Sequence, residues 1–409
     1  MIGQKKIVII GAGPSGSIAA ALLQKKGHQA IILERELFPR FSIGESLLPQ
    51  CMEFIDEAGM LQAVIDAGFQ FKTGADFICR DNYSKFYFSD KFSPGFGTTF
   101  QVQRDRFDAL LASEAQRQGA IIHWQHQVLG ADFSGEKPVL TVSDENAASY
   151  QIQADFVLDA SGFGRVLPRL LKLESPTNFP VRQAAFTHIE DRISCGQYDR
   201  QQIRIVIHPE MSDVWYWLIP FSNGRCSLGV VGEPKVFDAF ADNQQAFHAL
   251  VAAEPSLSAL LPNAIYDTPI NGIKGYSANV SSLYGKGYAL LGNAGEFLDP
   301  VFSSGVTIAM KSASLAATVL DRQLTGQAMD WQKDYAEPLQ KGVDTFRTFV
   351  SSWYEGGLQD VIFYNQQQPN IKAMICSILA GYVWDENNPY VKNSRNRLNT
   401  LVELCRMPA

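Results

Sequence analysis

The chain has 409 residues, with 35 basic and 42 acidic side chains and a net charge of −7. No basic run is longer than a pair, which argues against a nucleic-acid surface or a polybasic membrane patch. Six scattered cysteines form no C-x-x-C pair and no metal-ligand spacing, so we expect reduced thiols, no metal site and a cytoplasmic location. No transmembrane segment is predicted, because no run of about 18 apolar residues lacks a charge.

A glycine-rich turn follows the first apolar run. Residues 7–10 predict a buried parallel strand and residues 17–25 predict a helix of small and apolar residues. The turn between them has G-x-G-x-x-G spacing, in which Gly11 allows the turn, Gly13 admits a pyrophosphate and Gly16 lets helix and strand pack closely. A second strand, residues 29–33, ends in Glu34, an acid placed to accept a ribose hydroxyl. The pattern predicts a dinucleotide site, and the alternative is a glycine turn without a nucleotide.

The next segments predict a change of architecture. A proline- and glycine-rich loop runs to Pro49, and residues 50–67 have the spacing of a helix. Strands are expected at 71–79, 85–88 and 98–102, as antiparallel neighbours that do not belong to a doubly wound sheet. They therefore predict a second lobe inserted into the nucleotide domain.

Later segments are assigned in turn to the first domain, to the second lobe and again to the first domain. A helix from Arg104 to about Gly119 precedes a strand at 120–124, a hairpin at 139–143 and 149–153, and a buried strand that ends in Asp159-Ala160-Ser161-Gly162. Strands at 202–208, 215–220 and 225–231 predict the floor of the second lobe, and 237–259 reads as helical. Residues 287–295 predict a returning strand and turn, followed by a helix to Leu320 and a mostly helical remainder.

Three separated motifs carry a resemblance to a known superfamily. The glycine turn, Asp159-Ala160-Ser161-Gly162 and Gly292-Asn293-Ala294 together resemble the nucleotide fingerprint of group A flavoprotein monooxygenases. The resemblance implies an α/β fold: a Rossmann-type FAD-binding domain (1–70, 101–180 and 280–330), an inserted antiparallel-sheet substrate lobe (71–100 and 181–279) and a helical C-terminal region (331–409). It assigns FAD contacts to Gly11, Gly13, Pro14, Ser15, Gly16, Glu34, Arg35, Gly44, Glu45, Ser46, Arg104, Asp159, Gly162, Gly292, Asn293, Pro300, Gly305 and Val306.

Two further motifs narrow the resemblance to flavin-dependent halogenases. Residues 215–220, Trp-Tyr-Trp-Leu-Ile-Pro, fit the W-x-W-x-I-P signature, and residues 297–305 fit F-x-x-P-x-x-S-x-G. The sequence around Asp299 is closer to that of the phenol and pyrrole halogenases than to that of the tryptophan halogenases. The resemblance implies catalytic roles for Lys72, Ser303, Ser304, Gly305, Trp215 and Trp217.

The implied chemistry gives these residues distinct tasks. FADH2 and O2 form a flavin C4a-hydroperoxide, halide converts it to hypohalous acid, and Lys72 directs the halogen to an electron-rich aromatic of phenol or pyrrole type. The turn at 303–305 offers backbone N–H groups for a halide, and an apolar surrounding lowers the pKa of Lys72. Trp215 and Trp217 separate flavin from substrate. A separate flavin reductase is expected, and the substrate is a small molecule, a carrier-tethered group or part of a protein.

Each assignment has a simpler structural alternative. Lys72 could be a solvated lysine, the tryptophan pair could pack one face of a sheet, Glu45 and Ser46 could cap a helix, and Arg104 could be a surface arginine. The family usually has aspartate where this chain has Asn293, which accepts a hydrogen bond without a charge. The runner-up function is a hydroxylase of a small aromatic or of a tryptophan or tyrosine in a partner protein. A prenyl-lipid reductase and a flavoprotein binding module are the remaining alternatives.

Overall fold

The computed structural model describes residues 5–177 and 179–407. It is a mixed α/β structure with parallel and antiparallel sheets. The strands are β1 (Lys6–Ile10), β2 (Gln29–Glu34), β3 (Gln70–Lys72), β4 (Gly74–Cys79), β5 (Asn82–Tyr87), β6 (Thr99–Gln101), β7 (Ile121–Trp124), β8 (Gln127–Asp132), β9 (Val139–Ser143), β10 (Ser149–Gln153), β11 (Phe156–Asp159), β12 (Glu174–Ser175), β13 (Gln183–Glu190), β14 (Gln202–Ile207), β15 (Trp215–Pro220), β16 (Arg225–Gly232), β17 (Asn271–Lys274), β18 (Asn279–Val280), β19 (Tyr284–Gly285) and β20 (Tyr288–Leu290).

Helices fill the intervals between strands and make up most of the C-terminal region. They are α1 (Pro14–Lys25), α2 (Cys51–Glu57), α3 (Leu61–Asp66), α4 (Arg104–Arg117), α5 (Val166–Leu170), α6 (Pro234–Phe237), α7 (Asn243–Ala252), α8 (Pro255–Leu260), α9 (Ser304–Leu324), α10 (Glu337–Tyr354), α11 (Gly357–Phe363), α12 (Pro369–Leu379), α13 (Pro389–Lys392) and α14 (Ser394–Arg406). Within the described ranges, no helix combines the length and the apolar character that a membrane span needs.

The first sheet has six strands in the order β19-β20-β11-β1-β2-β7. All neighbours from β20 to β7 are parallel, and only β19 pairs antiparallel. The apolar run Ile7, Val8 and Ile9 is fully buried in β1, as expected for a strand covered on both faces. Helices α1 and α9 pack together beside this sheet. The predicted α/β fold is confirmed, and the face of this sheet opposite α1 and α9 packs against the three-stranded sheet β10-β9-β8.

The second sheet has seven strands in the order β17-β13-β16-β15-β14-β4-β5. Its pairs are antiparallel except β14 with β4, which run parallel. The three strands predicted in the 202–231 region lie at its centre. One face of β15 carries Trp215, Trp217 and Ile219, which belong to the main apolar core, while Tyr216 and Leu218 pack on the other face with α7 and α8.

Four predicted elements differ from the structure. The single helix at 50–67 is two helices, because the chain turns at Gly59 with φ of +72°. The strand at 71–79 divides at Thr73 into β3 and β4, and the 98–102 strand pairs with β3 in a separate two-stranded ribbon. The helical stretch at 237–259 is divided into α7 and α8, each capped by an acidic side chain, Asp242 or Glu254. The hairpin at 139–153 gains a third strand, β8, that was not predicted.

Candidate active site

A cavity of about 320 Å³ lies between the carboxyl ends of the parallel strands and the apolar face of the second sheet. Ligands of doubly wound folds bind at this edge of the sheet. Its walls include the predicted residues Gly11, Gly13, Pro14, Ser15, Glu34, Arg35, Gly44, Glu45, Ser46, Arg104, Gly162, Trp215, Trp217, Asn293, Pro300, Ser303, Gly305 and Val306. The other predicted residues, Gly16, Lys72, Asp159, Gly292 and Ser304, do not line it. One cavity thus brings together motifs that are nearly 300 positions apart in the chain.

The three glycines of the first turn have different roles. Gly11 has φ of +97°, and a Cβ there would lie 2.8 Å from the carbonyl oxygen of Ala160. A Cβ at Gly16 would lie 2.0 Å from the carbonyl oxygen of Gly11, so Gly16 serves packing. At Gly13 the nearest atom to such a Cβ is 3.7 Å away, on Arg40. Gly13 therefore leaves space on the cavity side of the N-terminus of α1, where a phosphate would meet free N–H groups.

The acid at the end of β2 is held in place by the backbone. Glu34 is buried, and its carboxylate accepts hydrogen bonds from the N–H groups of Ala12 at 2.8 Å and Glu36 at 3.0 Å. These bonds tie the end of β2 to the glycine turn. The carboxylate is thereby oriented in the cavity wall at the carboxyl end of β2.

A second cation near the glycine turn was missed from the sequence. Arg40 lines the cavity, and its guanidinium lies 3.3 Å from the buried carboxylate of Asp108. Asp108 also accepts two hydrogen bonds from Arg104, at 2.7 and 2.9 Å, and Arg104 in turn donates to the carbonyl oxygen of Ile43 at 2.7 Å. Arg104 is therefore not a surface arginine; it holds the 43–44 loop. Arg40 sits in an irregular loop, where the sequence offers no periodicity to mark it.

Lys72 is a buried amine behind the cavity wall. Its side chain is about 1% exposed, and Nζ donates to Ser46 Oγ at 2.7 Å and to the carbonyl oxygen of Leu47 at 2.8 Å. Burial lowers the pKa of Lys72 to about 7, although a charge interaction with Cys51 opposes this. The solvated-lysine alternative is thus excluded. Lys72 reaches the cavity wall through Ser46.

The two tryptophans form the wall opposite the glycine turn. The Trp217 indole lies over Gly229, where a Cβ would come within 2.2 Å of the ring, and its Nε1 donates to Ser227 Oγ at 3.0 Å. Trp215 lies beside it, with ring centroids 5.9 Å apart, and donates to Tyr354 Oη at 3.1 Å. The rings thus pack one face of the sheet, as the structural alternative expected, and that face also lines the cavity.

A buried carboxylate orders the turn that begins α9. Asp299 accepts from the N–H of Val301 at 3.0 Å and from the hydroxyls of Tyr354 at 2.9 Å and Tyr276 at 3.3 Å. Burial raises the pKa of Asp299 to about 6, against the lowering effect of these hydrogen bonds. The same Tyr354 hydroxyl binds Trp215. The 299–305 turn and the tryptophan wall are therefore connected through one tyrosine of α10.

The start of α9 carries backbone N–H groups that have no partner within the helix. Ser303 has φ of +55°, and its N–H donates to the carbonyl oxygen of Pro300 at 2.9 Å. Because α9 begins at Ser304, the N–H groups of Ser304 and Gly305 have no carbonyl partner one turn earlier in the helix. A Cβ at Gly305 would lie 3.8 Å from Asn293 Oδ1, a buried atom without a hydrogen-bond partner among the described residues.

Two predicted contacts lie behind the cavity and order its wall. Asp159 is fully buried and accepts from the N–H groups of Ser161 at 2.9 Å and Leu167 at 2.7 Å; burial raises its pKa. Gly292 has φ of +51°, and a Cβ there would lie 2.8 Å from Ala309 Cβ. Both residues shape the turns that carry Gly162 and Asn293 to the cavity.

The residues present fit FAD. Gly13 keeps an open approach to the N-terminus of α1, and Glu34 is oriented at the end of β2. Asn293 Oδ1 and Glu45 Oε2 are buried acceptors that lack a partner in the part of the chain that the structure describes. Such atoms cost free energy unless a ligand satisfies them, and both residues line the cavity.

Comparisons with known proteins agree with this geometry. A model of the FAD binding domain family matches residues 4–338. The chain is 44% identical to a flavoprotein/dehydrogenase from Cytophaga hutchinsonii, with a TM-score of 0.95 and coverage of 98% of this chain and 99% of that one.

Named halogenases are similar at lower identity. A 1H-pyrrole-2-carbonyl-(peptidyl-carrier protein) chlorinase from Pseudomonas fluorescens is 26% identical over 97% of this chain and 93% of its own length. The flavin-dependent brominase Bmp2 is 26% identical, with a TM-score of 0.85 and coverage of 98% of this chain and 100% of that one. The chain therefore belongs to the FAD binding domain family, as a halogenase-like FAD-dependent oxidoreductase.

Proposed function

We propose that this protein halogenates an electron-rich aromatic compound of phenol or pyrrole type, with Lys72 as the halogenating residue. The observation that carries the proposal is the buried Lys72 amine, with its pKa lowered to about 7 and its hydrogen bond to Ser46 at the cavity wall. Similarity to a pyrrole chlorinase and to a brominase supports the reaction class.

Different residues of the cavity bind the cofactor and the halide. The first turn of α1, Arg40 and Glu34 hold the nucleotide part of FAD, and Asn293 accepts a hydrogen bond from the flavin part. Bound reduced FAD supplies the two electrons that activate O2. The N–H groups of Ser304 and Gly305, at the positive end of a 21-residue helix, bind the halide.

The protein then controls the electrophilic halogen. With a pKa of about 7, a large fraction of Lys72 is a neutral amine at neutral pH, and this amine can hold or react with hypohalous acid. Trp215 and Trp217 form an apolar wall that keeps the organic substrate away from the flavin. Lys72, on the far side of Ser46, directs the halogen to one carbon of the substrate.

The proposal extends to partners and location. A separate flavin reductase supplies reduced FAD, and the aromatic is free, carrier-tethered or part of a protein; carrier-tethered pyrroles are the substrates named for two of the relatives. A cytoplasmic location is supported by the six cysteines, all of which are free thiols.

One observation favours hydroxylation as a second candidate. Cys51 is fully buried and close enough to Lys72 for their charges to interact. A thiol is readily oxidised by electrophilic halogen, so its position beside the halogenating amine is a chemical liability. A hydroxylase would not expose Cys51 to hypohalous acid.

Product analysis separates the two candidates. The protein is supplied with reduced FAD, O2, bromide or chloride, and a panel of phenols and pyrroles, and the products are identified by mass spectrometry. The proposal expects halogenated products from the wild type and none from Lys72→Ala, while Lys72→Ala still reoxidises reduced FAD. Hydroxylated products from both proteins, with no halogen incorporated, would replace the proposal by the hydroxylase.

A further inference from the structure

A histidine and a glutamate from distant parts of the chain meet at the cavity wall. His188 Nε2 lies 2.6 Å from Glu45 Oε1, across 143 positions of sequence. The Glu45 side chain is about 1% exposed and lines the cavity, whereas the His188 side chain keeps about 20% exposure. Glu45 is therefore the partner that forms the cavity wall, and His188 is the more exposed partner of the pair.

The second oxygen of Glu45 is unused by the protein. Oε2 is buried and has no hydrogen-bond partner among the residues that the structure describes. A buried carboxylate oxygen in this state costs free energy unless a group in the cavity satisfies it. Glu45 therefore has one oxygen on the histidine and one available to a proton donor or acceptor in the cavity.

The imidazole is held in one orientation by aromatic rings. The centroid of Phe221 is 5.2 Å away with an interplanar angle of 76°, and that of Phe41 is 5.7 Å away at 62°. Because both contacts are edge-on packing and neither ring can accept the imidazole proton in a conventional hydrogen bond, Glu45 is the polar partner that sets the direction of Nε2.

The charges around His188 favour its protonated form. Burial lowers the pKa of His188, but the hydrogen bond and the charge of Glu45 outweigh burial, so the pKa lies above its ordinary value. Arg225 on β16 lowers this pKa, and Asp105 on α4 raises it. Arg104, also on α4, interacts with the charge of Glu45. The result is a histidine whose protonated form is favoured and which is bonded to a buried acceptor.

We propose that His188 and Glu45 form a proton relay between solvent and the flavin-facing wall of the cavity. Protonated His188 transfers the proton on Nε2 to Glu45 Oε1, which makes Glu45 a neutral carboxylic acid. Rotation of this carboxyl group turns the O–H toward the cavity, where Glu45 gives up the same proton and becomes a carboxylate again. His188 then recovers a proton from solvent. The relay rests on FAD in the cavity and not on halogenation.

Halide oxidation takes up a proton, which the relay would supply. Reduced FAD, O2, one halide ion and one proton give oxidised FAD, one hypohalous acid and one water. Halide oxidation therefore consumes one proton per turnover. The His188–Glu45 pair would supply that proton at the part of the cavity wall that Glu45 forms. For hydroxylation the net uptake is zero, but protons still move between flavin, oxygen and product.

The test compares His188→Gln with wild type and with His208→Gln, a variant of a buried histidine whose ring is hydrogen-bonded to the backbone of Glu210 and Met211 and not to a residue of the cavity wall. Stopped-flow absorbance follows the reoxidation of bound reduced FAD by O2 between pH 6 and pH 9. We expect reoxidation of FAD to be about a hundredfold slower in His188→Gln near neutral pH. In His188→Gly, added imidazole should restore part of the reoxidation rate. His208→Gln should keep the wild-type profile.

A second readout does not depend on turnover. In the oxidised FAD complex, the His188 ring is titrated by NMR in wild type and in Glu45→Gln, and the pKa should fall in the variant because the charge of Glu45 is removed. The relay is wrong if His188→Gln keeps the wild-type rate and pH profile. It is also wrong if the rate falls equally at every pH, without imidazole rescue, together with weaker FAD binding. Absence of halogenated product in the wild type refutes only the proposed function, because flavin reoxidation is still measured.

Discussion

Replacement of Lys72 by methionine is expected to stabilise the protein at neutral pH. Methionine keeps an unbranched side chain, one atom shorter than that of lysine, and removes the amine that burial makes costly. The pKa of Lys72 is lowered from an ordinary value of 10.5 to about 7. A tenfold change in an equilibrium constant is worth about 1.4 kcal/mol, so burial of this amine costs the folded wild type about 4 kcal/mol at pH 7.

The hydrogen bonds of Lys72 oppose this gain. The variant loses the bonds to Ser46 and Leu47, each worth about 1 kcal/mol. The net expectation is that Lys72→Met is more stable than wild type by about 2 kcal/mol at pH 7. Because the unfolded chain binds the proton more tightly than the folded one, wild-type stability rises with pH between 7 and 10.5. The two proteins should be equally stable at about pH 9, and wild type should be more stable above it.

Urea unfolding of the two apoproteins at several pH values, followed by circular dichroism, measures the difference directly. Lys392→Met, which changes an exposed lysine of α13, is the control, and we expect it to match wild type within about 0.5 kcal/mol at every pH. A Lys72→Met protein that is less stable than wild type at pH 7, by an amount independent of pH, would refute the inference that burial lowers the pKa of Lys72. The proposed reaction of the neutral amine with hypohalous acid would then lose its basis.

Three further predictions follow from the cavity. Gly16→Ala should unfold or strongly destabilise the apoprotein, whereas Gly13→Ala should leave its melting temperature nearly unchanged and weaken FAD binding about tenfold, because only Gly13 faces open space; calorimetry and FAD titration test the pair. Asn293→Ala should likewise spare apoprotein stability and weaken FAD binding about fivefold to tenfold, since Oδ1 has no partner among the described residues. A loss of apoprotein stability as large as the loss of FAD affinity would contradict this. Asp299, whose pKa is raised to about 6, should make wild-type stability fall by about 2 kcal/mol as pH rises from 4 to 6, and Asp299→Asn should remove that slope in urea unfolding.

Local motifs were predictable from the sequence, and contacts between distant segments were not. The strand, turn and helix around Gly11 follow from neighbouring residues, and the tryptophan strand follows from its alternation. Arg40 and His188 could not be found in this way, because their partners Asp108 and Glu45 are distant in sequence and the pairings depend on the packing of two sheets. The helix break at Gly59 was open to prediction, since glycine within a helical pattern often marks its end.

Lys72 was predictable from the sequence only in part. The resemblance placed a catalytic lysine at this position, but only the structure gives its depth and its bond to Ser46. The strand containing it was predicted as continuous to Cys79, whereas the chain changes sheets at Thr73. That change places Lys72 in the small β3–β6 ribbon, next to the cavity loop, rather than in the large sheet.

The hydrogen bonds from Trp215 to Tyr354 and from Tyr354 to Asp299 bear on how such enzymes can be recombined. A chimera that exchanges everything after α9 for the corresponding part of a relative would separate Tyr354 from both of its partners. The donor of the C-terminal helices would then alter the tryptophan wall and the start of α9, although neither was exchanged. Swaps intended to alter substrate range therefore need to carry Trp215, Asp299 and Tyr354 as one inherited set.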